Sequence, residues 1–175
     1  MREKTGGGAA MNRWGMGTTL YRATILYGLL AVLYDTVLLA AWCDRLVPWR
    51  LALAGGGTLL FLGLVVYALG TFSVYKAVDA GQLATRGIYA VVRHPLYAAW
   101  VWLIVPGLAL LQGTPLTLAA PVVAAVFYRL CIPHEEAVLR AAHGEAYDRY
   151  CRRVGGIWPR LGRAAEPGPA KAGGS

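Results

Sequence analysis

Charged residues are scarce in this sequence. Of its 175 residues, 15% are Asp, Glu, Lys or Arg and 57% are hydrophobic, and the mean hydropathy is +0.48. An average soluble domain carries about 25% charged residues, because its surface has to face water. The composition therefore excludes an ordinary soluble domain and indicates an integral membrane protein whose main surroundings are the lipid bilayer.

Cysteine is also rare. The chain has three, Cys43, Cys131 and Cys151, which is an odd number without the close spacing of metal ligands. A disulfide framework needs paired cysteines, and a structural zinc site needs ligands a few residues apart. We therefore expect free thiols and no metal.

Acidic residues are fewer than basic ones. Nine Asp and Glu stand against 17 Lys and Arg, which gives a formal net charge of +8. Such an excess can serve nucleic-acid binding, but in membrane proteins basic residues collect on the cytoplasmic side. Only Arg45 and Arg50 fall on the opposite side of the predicted spans. The sequence therefore predicts two cytoplasmic termini and no nucleic-acid partner; in a prokaryote the membrane would be the plasma membrane.

Long apolar runs define the predicted fold. Residues 23–42 and 51–72 are each long enough to cross a hydrocarbon core of ~30 Å at ~1.5 Å per helical residue. Two shorter runs, 97–111 and 116–128, are separated by QGTP and predict a short, tilted helical hairpin. The sequence thus predicts an all-α integral membrane protein with four transmembrane helices.

The chain divides into four predicted segments. They are a basic flexible tail (1–22), two transmembrane helices (23–72), a core with the remaining motifs (73–163) and a disordered tail (164–175). Within the first span lies Asp35, and a carboxylate inside the membrane is a functional candidate. The alternative is that Asp35 is protonated or hydrogen-bonded to a neighbouring helix.

One polar stretch interrupts the apolar part of the chain. Residues 81–96 read GQLATRGIYAVVRHPL and place Arg86, Arg93 and His94 between two hydrophobic runs. Ionisable groups at membrane level are costly and usually mark a functional site. We therefore expect a site here.

A second polar segment follows the hairpin. Pro133 suits the start of a helix and acidic residues come directly after it, so the sequence predicts one cytoplasmic amphipathic helix over residues 133–153. Five of its polar residues recur at steps of three or four and would share one face. They are Glu136, Arg140, His143, Tyr147 and Tyr150.

Two motifs on either side of the hairpin carry a family resemblance. They are GIYAVVRHPLY and EEAVLRAAHGEAYDRYCRRV. Their joint pattern, G-x-Y, R-H-P-x-Y, E-E-x-x-L and G-x-x-Y-x-x-Y over residues 81–159, resembles the isoprenylcysteine carboxyl methyltransferase family and related phospholipid N-methyltransferases. The resemblance implies methyl transfer from S-adenosylmethionine to a lipophilic acceptor. That acceptor would be a prenylcysteine-like carboxylate, or a lipid or small-molecule carboxylate, amine or thiol.

The resemblance also implies a set of site residues. Those expected to line the cofactor are Gly81, Gln82, Leu83, Ala84, Tyr89, His94, Pro95, Leu96, Tyr97 and Glu135. A carboxylate acceptor needs no general base, whereas an amine or thiol could lose its proton to Glu136 or His143. The alternative role of these two residues is ion pairing with Arg140 on the helix surface.

One position departs from the family pattern. Many members carry a substrate-binding arginine four residues before the glutamate pair, where this chain has Cys131. The nearest arginine, Arg129, is the candidate replacement, although two helical residues rotate a side chain by roughly 200°.

Two other functions stay open on the sequence alone. One is a membrane reductase of sterol-reductase type with a nicotinamide cofactor, in which Arg86 and Arg93 would bind the pyrophosphate. The other is a non-catalytic membrane protein whose polar loop binds a partner.

Overall fold

The computed structural model describes residues 17–37, 45–79 and 82–160, and within these ranges the chain is helical without a β-strand. We number five helices in chain order. They are α1 (Gly17–Val37), α2 (Trp49–Leu51, continued by the π-helical Ala52–Gly56 and by Gly57–Asp79), α3 (Pro95–Ala99, continued by the π-helical Trp100–Ile104 and by Val105–Gln112), α4 (Pro115–His143) and α5 (Glu145–Arg153). A 3₁₀ turn, Gly87–Ala90, precedes α3.

Within the described ranges, three helical segments are long and apolar enough to cross a membrane. They are Trp49–Ala77, Pro95–Gln112 and Pro115–His143, with mean hydropathies of 2.0, 1.5 and 1.7. The predicted integral membrane character is therefore confirmed. The predicted first span, 23–42, overlaps α1 but ends outside the described residues, so the count of four spans stays a prediction.

The predicted helical hairpin is present, and its turn follows from local chemistry. Gly113 ends α3 with a φ of 72°, a left-handed conformation that glycine adopts without strain. Thr114 then caps α4 through a reciprocal bond with Thr117, and Pro115 occupies the first helical turn. The hairpin therefore closes at the QGTP segment, as the sequence predicts.

Helix ends differ from the predictions in three places. α1 begins at Gly17, so the last six residues of the flexible tail predicted over 1–22 are helical. α2 continues seven residues past the predicted end at residue 72. The prediction followed the apolar run, whereas the more polar residues after it also adopt a helical conformation. The prediction that a helix starts at Pro133 is wrong. Pro133 lies inside α4, and α4 ends just before Gly144, where φ is 50°. Proline removes one backbone donor, a loss that a long helix packed against a neighbour can absorb. The five polar residues predicted to share one helical face are thus divided between α4 and α5.

The helices approach closely where small residues line the contact. A Cβ atom added at Gly56 would lie 2.8 Å from the carbonyl oxygen of Gly107, and one at Gly63 would lie 2.7 Å from Ile104 Cγ1. Helix packing in lipid favours such small residues, which let backbones meet. α1 packs along α4, and Leu20 is fully buried there.

Candidate functional site

The loop before α3 is held by the residues that follow α5. The Arg93 amide donates to the Gly155 carbonyl oxygen (2.7 Å) and the His94 amide to that of Gly156 (3.1 Å). Val92 and Gly155 form an isolated β-bridge. We call residues 154–160 the C-terminal strap. The strap therefore holds the loop in place through backbone hydrogen bonds.

Side chains strengthen the same contact. The Arg93 guanidinium donates to the carbonyl oxygens of Cys151 (3.1 Å) and Val154 (3.0 Å). The Tyr150 hydroxyl donates to the carbonyl oxygen of Tyr89 at 2.6 Å. Burial raises the pKa of both phenols above the usual 10, so both stay protonated at neutral pH.

Glu136 joins the loop to α4. Its Oε1 lies 2.5 Å from Arg93 Nη2 and 3.2 Å from His94 Nε2. The Arg93 and His94 side chains are 12% and 4% exposed, so these contacts are largely shielded from water. The suggested pairing of Glu136 with Arg140 is wrong, because Arg140 instead pairs with Asp148 at 2.8 Å.

Glu135 has different surroundings from its neighbour. Its Oε2 accepts a hydrogen bond from the Tyr97 hydroxyl. The Tyr97 ring lies 5.9 Å from that of Tyr128 and 6.1 Å from that of Tyr21, measured between centroids. In the part of the chain that the structure describes, no Lys, Arg or His forms an ion pair with Glu135.

Several of the expected cofactor residues meet in this region. His94 and Tyr97 contact the glutamate pair, and Pro95 is buried at the first turn of α3. Leu96 packs towards Gly70 of α2, and Tyr89 is buried beneath α5.

The other expected residues lie farther along the loop or helix. Gln82 is exposed, Leu83 and Ala84 are half-buried, and Gly81 lies outside the described residues. Their binding roles stay predictions. His143 stands at the end of α4, roughly 10 Å along the helix axis from Glu136 at ~1.5 Å per residue.

The two candidates for substrate recognition differ in burial. Cys131 is 6% exposed and stands one helical turn before Glu135, whereas Arg129 is exposed. Cys131 and Cys151 are free thiols, as expected, and Cys43 lies outside the described residues. Across the described ranges, no three His, Cys, Asp or Glu side chains form a group that could hold a metal ion.

The sequence analysis did not identify three residues of the site. Arg93 was not recognised as the partner of Glu136, nor were Tyr21 and Tyr128 recognised as neighbours of Tyr97. The spacing of Tyr128 and Glu135, two turns apart on α4, was an available signal. Tyr21 had none, since only the packing of α1 brings it close.

An apolar cavity of about 420 Å³ adjoins the loop. It lies between α2, α3 and the C-terminal strap. Its lining residues are Val66, Val92, Ala98, Ala99, Trp102, Leu103, Ile157, Trp158 and Pro159. The rings of Trp102 and Trp158 are 4.6 Å apart. We call this cavity the apolar groove.

The chain matches a known family across the loop, the hairpin and the glutamate pair. Residues 58–141 match the model of the isoprenylcysteine carboxyl methyltransferase family. A stretch of 78 residues is 35% identical to the probable protein-S-isoprenylcysteine O-methyltransferase of Oryza sativa, in both the indica and the japonica subspecies. This match covers 43% of the chain and 40% of each rice protein.

A third relative comes from an archaeon. Over 131 residues the chain is 30% identical to sensory rhodopsin-2 of Natronomonas pharaonis. This aligned stretch covers 69% of the chain and 54% of the rhodopsin. The chain thus spans about half or less of the length of these curated relatives. Membrane helices draw on a few apolar residue types, which raises identity between them whatever their function. The functional argument therefore rests on the family match and the rice proteins.

Proposed function

Residues 58–141 make this chain a member of the isoprenylcysteine carboxyl methyltransferase family, and from this membership we propose that it is a membrane methyltransferase using S-adenosylmethionine. The matched residues run from α2 through the loop to the glutamate pair. They therefore include the whole first motif and the start of the second, with its glutamate pair. The rice relatives, which are named as probable methyltransferases, support the same reaction class.

The observation that carries the proposal is the meeting of the two motifs. Arg93 contacts Glu136, and Tyr97 contacts Glu135, although the whole hairpin separates them in the chain. A binding function explains why ionisable side chains converge at the edge of an apolar protein, where they are otherwise costly.

The described residues fit the proposed cofactor. Glu135 is a carboxylate without a cationic partner in the described ranges, which suits a positively charged ligand. The ring of Trp100, which packs against the cluster of Leu20, Tyr97 and Ile157, offers a flat apolar wall of the kind that adenine prefers. When bound, S-adenosylmethionine supplies a methyl group on a positively charged sulfur.

The role of the chain's own residues is to position the cofactor and the acceptor and to exclude water. Methyl transfer is an in-line displacement, so alignment in a dry pocket provides most of the rate gain and no covalent nucleophile is required. Arg93 and His94, held by Glu136 and the C-terminal strap, fix the loop next to α4. This contact keeps Tyr97 facing Glu135.

The acceptor would reach the site from the membrane. The apolar groove borders α2 and α3, which are long enough to cross the bilayer, and it shares Ala98 and Ala99 with the helix that carries Tyr97. It can therefore accommodate the apolar part of a lipophilic carboxylate, amine or thiol. The loop, strap and both termini would face the cytoplasm, from which the water-soluble cofactor enters.

Ligand binding tests the proposal. Titration of the purified full chain in nanodiscs should give binding of S-adenosylhomocysteine and none of NADPH. His94→Ala should weaken that binding at least tenfold, and Glu135→Ala should weaken the binding of S-adenosylmethionine, which carries the positive charge, at least tenfold. Glu145→Ala is the matched control, because Glu145 is an exposed acid on α5 whose loss should change nothing.

The alternatives give different results. NADPH binding would indicate the reductase. Its pyrophosphate site would use Arg93, but the Arg93 guanidinium is bonded to Glu136 and to two carbonyl oxygens. Binding of neither ligand by the intact protein would overturn the proposed function. If S-adenosylhomocysteine binds, incubation with labelled S-adenosylmethionine and a membrane lipid extract would identify the acceptor.

A further inference from the structure

Two adjacent glutamates on α4 differ in how their charges are compensated. Glu136 has Arg93 and His94 as partners, whereas within the described residues the Glu135 carboxylate is bonded by the Tyr97 hydroxyl and by no cation. Both carboxylates are half-buried. A carboxylate withdrawn from water without a cation nearby is costly, so a cationic ligand would gain from binding beside it.

Aromatic rings cluster beside the Glu135 carboxylate. The Tyr97 hydroxyl donates to its Oε2, and the rings of Tyr21 from α1 and Tyr128 from α4 pack beside that of Tyr97. Ring centroids lie 6.1 Å apart for Tyr21 and Tyr97 and 5.9 Å apart for Tyr97 and Tyr128. Aromatic faces attract cations within about 6 Å, and this attraction strengthens away from water.

One of these rings comes from outside the family region. Tyr21 belongs to α1, whereas the family match begins at residue 58. Its position is fixed by its neighbours: Leu20 is fully buried with Tyr97 and Ile157, and the Tyr21 ring meets that of Trp100 edge-on at 4.9 Å. α1 therefore brings a ring to the site as a consequence of helix packing.

We propose that Tyr21, Tyr97 and Tyr128 form an aromatic cage which, with Glu135, binds an onium cation. An onium group carries a diffuse positive charge under apolar carbon atoms, which matches rings on its sides and a carboxylate at one end. The inference rests on the proposed function in one respect: there the onium group is the sulfonium of S-adenosylmethionine. A quaternary ammonium group of a lipid presents the same chemistry, so the test needs an arm for each source.

The sulfonium arm compares two ligands that differ mainly in charge. S-adenosylmethionine carries the cation, and S-adenosylhomocysteine has a neutral thioether in its place. Tyr21→Leu should weaken S-adenosylmethionine binding about 2- to 30-fold, the range expected for one cation–π contact. It should leave S-adenosylhomocysteine binding nearly unchanged, which also shows that the variant is folded.

Two further variants isolate the ring. Tyr21→Phe keeps the aromatic face and should retain the preference for the cation. Tyr34→Leu is the matched control on the same helix, because Tyr34 is 45% exposed and lies well away from the cage along α1. Equal weakening of both ligands by Tyr21→Leu, or of neither, would overturn the cage.

The ammonium arm uses tetramethylammonium, added both alone and as a competitor of S-adenosylmethionine. If the intact protein binds neither adenosyl ligand, the proposed function fails, and saturable tetramethylammonium binding lost in Tyr21→Leu would still support the cage. If the adenosyl ligands bind but Tyr21→Leu does not alter their ratio, the proposed function stands and the cage is wrong. Absence of binding for all three ligands would overturn both.

Discussion

The protein buries polar side chains at both ends of its helices, and the two groups differ in what they bond. At the hairpin turn, the Thr114 hydroxyl donates to Asp35, and the Thr117 hydroxyl lies 2.7 Å from that of Thr114. At the loop, Arg93 and His94 meet one glutamate while the adjacent glutamate has no basic partner in the described ranges. In the first group the partners are hydroxyls and the second oxygen of Asp35, Oδ1, is buried without a hydrogen-bond partner in the described residues, whereas the second group leaves the Glu135 carboxylate beside aromatic rings.

The position of Asp35 explains why it needs no cation. It faces the first turn of α4, where the helix dipole favours a negative charge. Of the two possibilities for Asp35, the hydrogen bond to a neighbouring helix is the one observed. The contrast indicates that burial of a carboxylate alone does not mark a functional site in this protein. What distinguishes Glu135 from Asp35 is that it faces neither a cation in the described residues nor the N-terminus of a helix.

Removing Arg93 should have the largest effect on this contrast. Arg93→Met would leave Glu136 with His94 alone and two carbonyl oxygens without a donor. Loss of one partner of a shielded ion pair costs about 3 kcal/mol. We therefore expect that loss of unfolding free energy in mixed micelles, together with loss of S-adenosylhomocysteine binding.

Two controls separate the ion pair from a general effect of losing an arginine. Arg140→Met removes the exposed partner of Asp148 and should cost less than about 1 kcal/mol. The double variant Arg93→Met/Glu136→Leu should regain part of the stability but none of the binding. A double variant as unstable as the sum of its single changes would contradict the pairing.

Removing the Tyr150 hydroxyl should have an intermediate effect. Tyr150→Phe leaves the buried Tyr89 carbonyl oxygen without its donor, which costs about 1–2 kcal/mol. Because burial raises the pKa of Tyr150, its contribution is fully present below pH 10 and is lost as pH rises above that value. The unfolding free energy of the intact protein should therefore fall above pH 10, and less steeply in Tyr150→Phe. Tyr75→Phe, at an exposed tyrosine of α2, should keep the slope of the intact protein.

Local chemistry made part of this structure predictable. The glycine, threonine and proline of the hairpin turn each adopt the conformation that their residue type favours, so the turn was visible in the sequence. Pro133 shows the limit of the same reasoning. A proline can begin a helix or lie within one, and the packing of the long helix against α1 decides between these outcomes.

The site shows a similar division. The motifs identified His94, Tyr97 and Glu135 as residues that would come together, and they lie in one region. Helical spacing suggested Arg140 as the partner of Glu136, whereas the actual partner, Arg93, is distant in the chain. Which charges pair depends on how the loop docks on α4, and i, i+4 spacing contains no information about that docking.

The smallest effect should come from neutralising Asp35. Asp35→Asn keeps an oxygen that can accept from the Thr114 hydroxyl, and a neutral amide avoids the burial of a charge, so the unfolding free energy should change by less than about 1 kcal/mol. Asp35→Leu removes the acceptor and should cost about 1–3 kcal/mol, because the Thr114 hydroxyl is buried. Neither variant should change the affinity for S-adenosylhomocysteine, since the hairpin turn and the glutamate pair lie at opposite ends of α4. A large loss of binding in Asp35→Asn with stability intact would mean that the two polar groups are coupled through α4. The distinction between the hairpin-turn group and the loop group would then fail.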